Sequence, residues 1–265
     1  MRYLNDVTNV TTDGVNYKDC VGKVYQSNSS GDFKIVKYND SYNVEIQFLN
    51  TGYEAVVQLG NIKSGKVKDP YVPSVYGVGV LGVKYPTKIN GVMTKEYDLW
   101  KSMLQRCYSD AYQKKQPTYE GCKCSENFKY YEYFYEWCNK QIGFSNQGWQ
   151  LDKDLLVKGN KVYSEDSCVF LPREVNLLLT KRDNNRGEYL IGVCWDKASK
   201  AFKAKVSKGK GKREYLGYFN TELEAFKAYK VAKESFIKEQ ANNWKSQIDD
   251  RAYEALMKYT VEITD

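Results

Sequence analysis

The chain holds 265 residues, 42% of them hydrophobic, with 40 Lys and Arg against 33 Asp and Glu, a formal net charge of +7 and no histidine. This length accommodates one to three domains with apolar cores of their own. No stretch approaches the ~20 apolar residues of a membrane span, no apolar run follows Met1-Arg2-Tyr3 as an export signal requires, and seven cysteines at irregular spacings suit reduced thiols better than a disulfide framework. The expectation is a soluble, unexported chain in a cytoplasm.

From the N-terminus, Phe33 to Tyr38, Tyr42 to Phe48 and Ala55 to Leu59 read as three short strands. Asn39-Asp40 and Asn50-Thr51-Gly52 between them supply the positive φ that tight turns demand. The expectation for residues 1–90 is a small β-barrel of the SH3 sort, followed by irregular connections marked by Gly65, Pro70, Pro73, Gly77, Gly79, Gly82 and Pro86. The stretch Gly77-Val78-Gly79-Val80-Leu81-Gly82 has GxGxxG spacing, but it lacks the strand, helix and downstream acid of a dinucleotide site and reads as a turn.

From Thr94 the period changes. Tyr97, Trp100, Met103, Leu104 and Cys107 fall at helical spacing, and a second helix is expected from Ser125 as cap, with Phe128, Tyr131, Phe134, Tyr135 and Cys138 inside. Cys122-Lys123-Cys124 is a CxC pair with no second half-site, so no zinc is expected and the thiols read as small buried apolar groups.

Next comes a segment that reads physically as strand, loop, strand, helix: Gln150-Leu151-Asp152-Lys153-Asp154, the turn-like Lys158-Gly159-Asn160-Lys161, Tyr163-Ser164, Cys168 to Pro172, and Asn176 in an apolar helix start. Taken alone, Asp152-Lys153-Asp154 fits an exposed charge cluster at a turn as well as a site.

The strongest signal lies in Trp195 to Arg213, WDKASKAFKAKVSKGKGKR, where eight Lys and Arg meet one Asp. Lys203-Ala204-Lys205-Val206 alternates basic and apolar, which on a strand sends the lysines to one face and the apolar groups to the other. Glu214 to Phe219 makes a further strand. Thr221-Glu222-Leu223-Glu224 has the form of a capping box opening a helix whose Ala225, Phe226, Tyr229, Ala232 and Phe236 make an apolar stripe against the sheet. Residues 181–240 hold 15 Lys and Arg against 8 Asp and Glu, a surplus as large as that of the whole chain, so the basic character is local. Such a face binds polyanions by counterion release.

Residues 188–240 resemble the Apetala or ethylene-response-factor type of DNA-binding domain, on the strength of GVCWDKASKAFKAKV and REYLGYFNTELEAFKAY. The resemblance implies a three-stranded antiparallel sheet packed on a helix and laid in the DNA major groove. Its DNA-binding positions here would be Trp195, Lys197, Lys203, Lys205, Lys210, Lys212, Arg213 and Tyr215. Lysine stands in most places where that family has arginine, and an ammonium addresses guanine less selectively than a guanidinium.

The segment from Gln150 to Asn176 resembles the HNH motif of phage homing endonucleases, proteins in which an Apetala-type domain recurs. Carried across, Asp152 takes the place of the first metal-binding member, Lys153 that of the general-base histidine, Ser167 that of the loop asparagine and Asn176 that of the last metal ligand. Two oxygen donors suit magnesium or manganese. A lysine of ordinary pKa near ~10.4 is a poor base at neutral pH, so three alternatives stay open: a desolvated Lys153 as base, Asp154 as the carboxylate that activates water, or a dead site kept as scaffold.

The resulting expectation is an α+β chain of several modules: a small β-barrel in 1–90, a helical region with an HNH-like ββα unit in 91–180, an Apetala-type sheet and helix in 181–240, and a C-terminal helix in 241–265. The expected function is metal-dependent hydrolysis of duplex DNA, in the cytoplasm of a bacterial host. The alternative is a catalytically inactive DNA-binding factor, or a phage-encoded inhibitor of a host defence protein. Ile248, Ala252 and Leu256 place an amphipathic helix in the tail that docks on its own chain or on a second copy.

Overall fold

The computed structural model describes residues 17–180, 188–209 and 211–265. The chain folds as two compact units, one running to Tyr135 and the other from Glu136, and it is mixed α+β with several small sheets. Among the described residues no helix is long and apolar enough to cross a membrane.

The first unit opens with an antiparallel meander, β1 (Val24–Gln26), β2 (Asp32–Tyr38), β3 (Val44–Phe48) and β4 (Glu54–Val57), in that spatial order. Phe33, Ile35, Val44, Ile46 and Phe48 alternate onto one face and are buried, with Leu59, Ile62 and Val67 completing the core. The sheet does not close into the expected barrel. β1 and β4 are three and four residues long, and the chain leaves β4 through helix α1 (Leu59–Lys63), whose Leu59 and Ile62 supply apolar cover for the open sheet.

Further on, β5 (Lys88–Ile89) and β6 (Val92–Met93) form a two-stranded hairpin. Helix α2 (Lys95–Tyr108) starts where Thr94 accepts the Tyr97 amide, and it buries Trp100, Met103, Leu104 and Cys107 at the expected spacing. The Trp100 indole donates to the Phe128 carbonyl at 2.8 Å, which satisfies its one polar atom inside the core. Helix α3 (Asp110–Lys115) follows. The helix expected from Ser125 starts later: Ser125 accepts the Phe128 amide, but only a single 3-10 turn results. Tyr130 is extended, and α4 (Tyr131–Asn139) begins after it.

In the second unit β7 (Trp149–Asp152) pairs antiparallel with β8 (Val169–Pro172), and α5 (Arg173–Leu179) packs on both. Then β9 (Val193–Asp196), β10 (Ala201–Ser207) and β11 (Arg213–Phe219) form a three-stranded antiparallel sheet against α6 (Glu222–Trp244). The capping box at Thr221 is complete, since its hydroxyl takes the Glu224 amide and Glu224 takes the Thr221 amide. The tail helix α7 (Asp250–Met257) docks on its own chain: Ile248, Ala252 and Leu256 join Val169, Leu171, Val175, Ile237 and Ala241 in one core.

Candidate nucleic-acid interface

The period-two logic of β10 holds in the folded chain. Ala204 and Val206 are fully buried toward α6, where Val206 meets Phe226, Tyr229 and Val261, while Lys203 and Lys205 project from the other side. Residues directly opposite one another across a ladder share a face. Cys194 and Tyr218 therefore stand beside Lys203, Tyr215 beside Lys205, and Arg213 beside Ser207, all on the side away from α6.

A bulge makes this grouping. Ala204 pairs with Gly217 but Lys205 pairs with Tyr215, so Leu216 is an extra residue on β11 and turns in to the apolar core. Tyr215 and Tyr218, three apart in sequence, end on one face with ring centroids 5.4 Å apart. The Lys203 ammonium sits 5.6 and 5.7 Å from the two rings. Gly217 adopts φ +131°, a backbone conformation that suits glycine. Tyr218 is a functional candidate that alternation alone assigns to the wrong side, and the glycine two residues after Tyr215 is the signal that could have recovered it.

Not every expected contact residue lies on this face. Trp195 pairs with Phe202 at a ring distance of 4.9 Å, on the same side as Ala204 and Val206, so it stands apart from the lysine surface. Lys197 is exposed in the turn between β9 and β10, and Lys212 in the turn before β11. Lys208 bends the opposite way, to Glu214 at 3.1 Å and over the Phe236 ring at 4.5 Å. Lys210 lies outside the described residues.

The face is also tempered by one acid. Asp196 stands 3.7 Å from the Lys203 ammonium, and its carboxyl is held below the ordinary range first by the Ser199 amide at 2.9 Å and also by Lys203. Lys205 and Arg213 form no ion pair among the described residues. They and the turn residues Lys197 and Lys212 carry the charge offered to solvent.

The β7–β8 pair and α5 carry the polar residues that the HNH resemblance singles out. Asp152 accepts the amides of Leu155 (2.7 Å) and Asp154 (2.9 Å) on one oxygen and thereby closes the turn after β7. Burial pushes its carboxyl above the ordinary range, while the Leu155 and Asp154 amides pull the other way. Lys153 is buried, with its ammonium donating to Asp154 (2.5 Å) and to the Asn160 carbonyl (2.7 Å) and lying 5.6 Å from the Tyr163 ring. Held by a carboxylate and a carbonyl, Lys153 pins the loop that follows β7. Ser167 bonds Ser164 and the Val162 carbonyl and staples the turn ahead of β8.

Asn176 donates to Gln150, two positions before Asp152 on β7. Asp152 and Asn176 thus belong to one face of the hairpin and helix but engage different partners. Among the described residues no three acidic or cysteine side chains gather around a common point. As the side chains stand, one oxygen of Asp152 accepts two amides and the Asn176 Nδ2 donates to Gln150.

No family model matches the chain, and neither a curated protein nor a solved structure matches it.

Proposed function

We propose that this protein binds duplex DNA through the solvent face of β9, β10 and β11, on a chain built like an HNH homing endonuclease. The observation that supports this most is the grouping of Lys203, Lys205, Arg213, Tyr215 and Tyr218 on one side of a sheet whose other side is closed by α6. Cations neutralise phosphates, phenols reach base edges or sugars, and a packed helix holds the surface in shape. The sparse guanidinium content predicts affinity with modest sequence discrimination. In this reading the hairpin and α5 act as scaffold, fixed by Asp152, Lys153 and Ser167.

A second reading, hydrolysis of the duplex with magnesium or manganese at Asp152 and Asn176, draws support from the placement of both residues on one face. It would use the Asp152 oxygen that the Leu155 and Asp154 amides do not engage and the carboxamide oxygen of Asn176, whose Nδ2 donates to Gln150. The deciding experiment combines two measurements on the same protein. Anisotropy of a labelled duplex reports binding, and nicking of supercoiled plasmid with each metal, compared with Asp152→Ala, reports cleavage. Binding that Lys205→Ala/Arg213→Ala weakens, with no nicking under either metal, supports the scaffold reading; nicking lost in Asp152→Ala establishes the nuclease. Absence of duplex binding by the intact protein at low salt overturns the proposal and leaves a protein-directed inhibitor, for which a host protein retained in a pull-down is the matching result.

A further inference from the structure

The solvent face of β10 and β11 offers a ligand more than charge. Tyr215 and Tyr218 are 51% and 47% exposed, their rings meet edge to face at 65°, and the Lys203 ammonium lies 5.6 and 5.7 Å from the two ring centres. Single exposed phenols are ordinary on a protein surface. Here two stand side by side with Lys203 and Lys205 directly across the ladder from them and Arg213 on the same strand.

The pair is set by the sheet beneath it. Leu216 turns in to the apolar core between the two tyrosines, and the Tyr218 hydroxyl donates to the Asp196 carboxylate at 3.5 Å. A tyrosine has two side-chain torsions, so ordering it against a ligand costs little. An intact duplex makes poor use of such rings, because its bases stack on one another and present only their edges in the grooves. Those edges are read by arginine forks and by Asn or Gln carboxamides, and the three strands contain Arg213 as their one guanidinium and no Asn or Gln.

An unpaired nucleotide presents the complementary parts together: a whole aromatic plane beside a phosphate. Exposed rings flanked by cations are the means by which unpaired nucleotides are held, and the stacking tolerates any base because every base has a π-face. We infer that this face takes DNA where the duplex is interrupted, with unpaired bases stacked on Tyr215 and Tyr218 and the adjoining phosphates on Lys205 and Arg213, an assignment that rests on the DNA-binding reading above and names the form of DNA preferred. Stacking without edge readout also fits the modest sequence discrimination expected of a lysine-rich surface.

The test uses the full chain and two labelled DNAs of the same sequence, an intact duplex and that duplex with a short single-stranded gap. The wild type binds the gapped DNA roughly tenfold more tightly, a ratio that stacking of a single base supplies. Tyr215→Leu/Tyr218→Leu loses the preference, whereas Tyr215→Phe/Tyr218→Phe, which keeps the rings and loses the hydroxyls, retains it. The greater flexibility of gapped DNA acts on wild type and variants alike, so the comparison isolates the rings. 5-Iododeoxyuridine placed in the gap cross-links to Tyr215 or Tyr218 on irradiation, and this readout and the Phe variant decide the matter even where the Leu variant does not fold. Equal affinity for the two DNAs, a preference that survives loss of both rings, or a cross-link that falls outside the sheet overturns the inference and leaves the duplex reading standing. No binding of either DNA by the wild type at low salt removes both.

Discussion

Lys205 and Arg213 are the cations of the sheet's solvent face that form no ion pair among the described residues, so each is free to meet a phosphate. Every phosphate neutralised contributes ~0.9 to the slope of log affinity against log salt on duplex DNA. The double variant Lys205→Ala/Arg213→Ala therefore flattens that slope by ~1.8, and the wild type loses about 12-fold more affinity than the variant between ~50 and ~200 mM salt. Asp196→Asn works in the other direction. It keeps an oxygen for the Ser199 amide, removes the one carboxylate beside Lys203, and steepens the slope by up to ~0.9. Titration of a labelled duplex by anisotropy at four or more salt concentrations reads all three proteins. An unchanged slope in the double variant means that these cations do not face phosphate, and the argument from the sheet fails.

Stability measurements test the rest. Burial in the apolar stripe of α6 depresses Lys233 to about 8, so the folded chain binds fewer protons than the unfolded one above that pH, and stability rises as pH climbs from about 8 toward the ordinary lysine value. Lys233→Met gains ~2 kcal/mol at neutral pH and loses that pH dependence in urea titrations; a flat wild-type profile refutes the reasoning. Lys153→Met orphans the Asn160 carbonyl and lowers stability by ~2 kcal/mol, discounted for the exposure of Asp154, whereas an unchanged denaturation midpoint denies the loop-pinning role. At Gly192, with φ +79°, an added methyl strikes the Tyr229 ring, so Gly192→Ala costs ~3 kcal/mol or more through strain and overpacking and abolishes duplex binding with it.

The parts of the fold visible in sequence were those governed by local rules. The stripe of Trp100, Met103, Leu104 and Cys107, the capping box at Thr221 and the alternation in Lys203 to Val206 are short-range patterns, and each has the expected burial. The open sheet was not visible, because closure depends on whether terminal strands meet, and that is a long-range matter. For the same reason Trp195 was misplaced: its proximity to the lysines in sequence says nothing of ladder parity, and its register with Phe202 sets its side. Asp152 and Lys153 have the residue types of a site, but their engagement with the Leu155 amide and the Asn160 carbonyl depends on a loop path that no spacing rule supplies.

The inserted residue at Leu216 behaves as a half-step phase shifter. It converts an odd interval along β11 into an even one, so two phenols that a regular strand would send to opposite sides become neighbours. Replacing Gly217 by a chiral residue that resists φ +131° pushes the strand back toward regular pairing. That one exchange would separate Tyr215 from Tyr218 and take from Lys203 one of the two rings flanking it, remodelling the surface while every side chain on it keeps its identity.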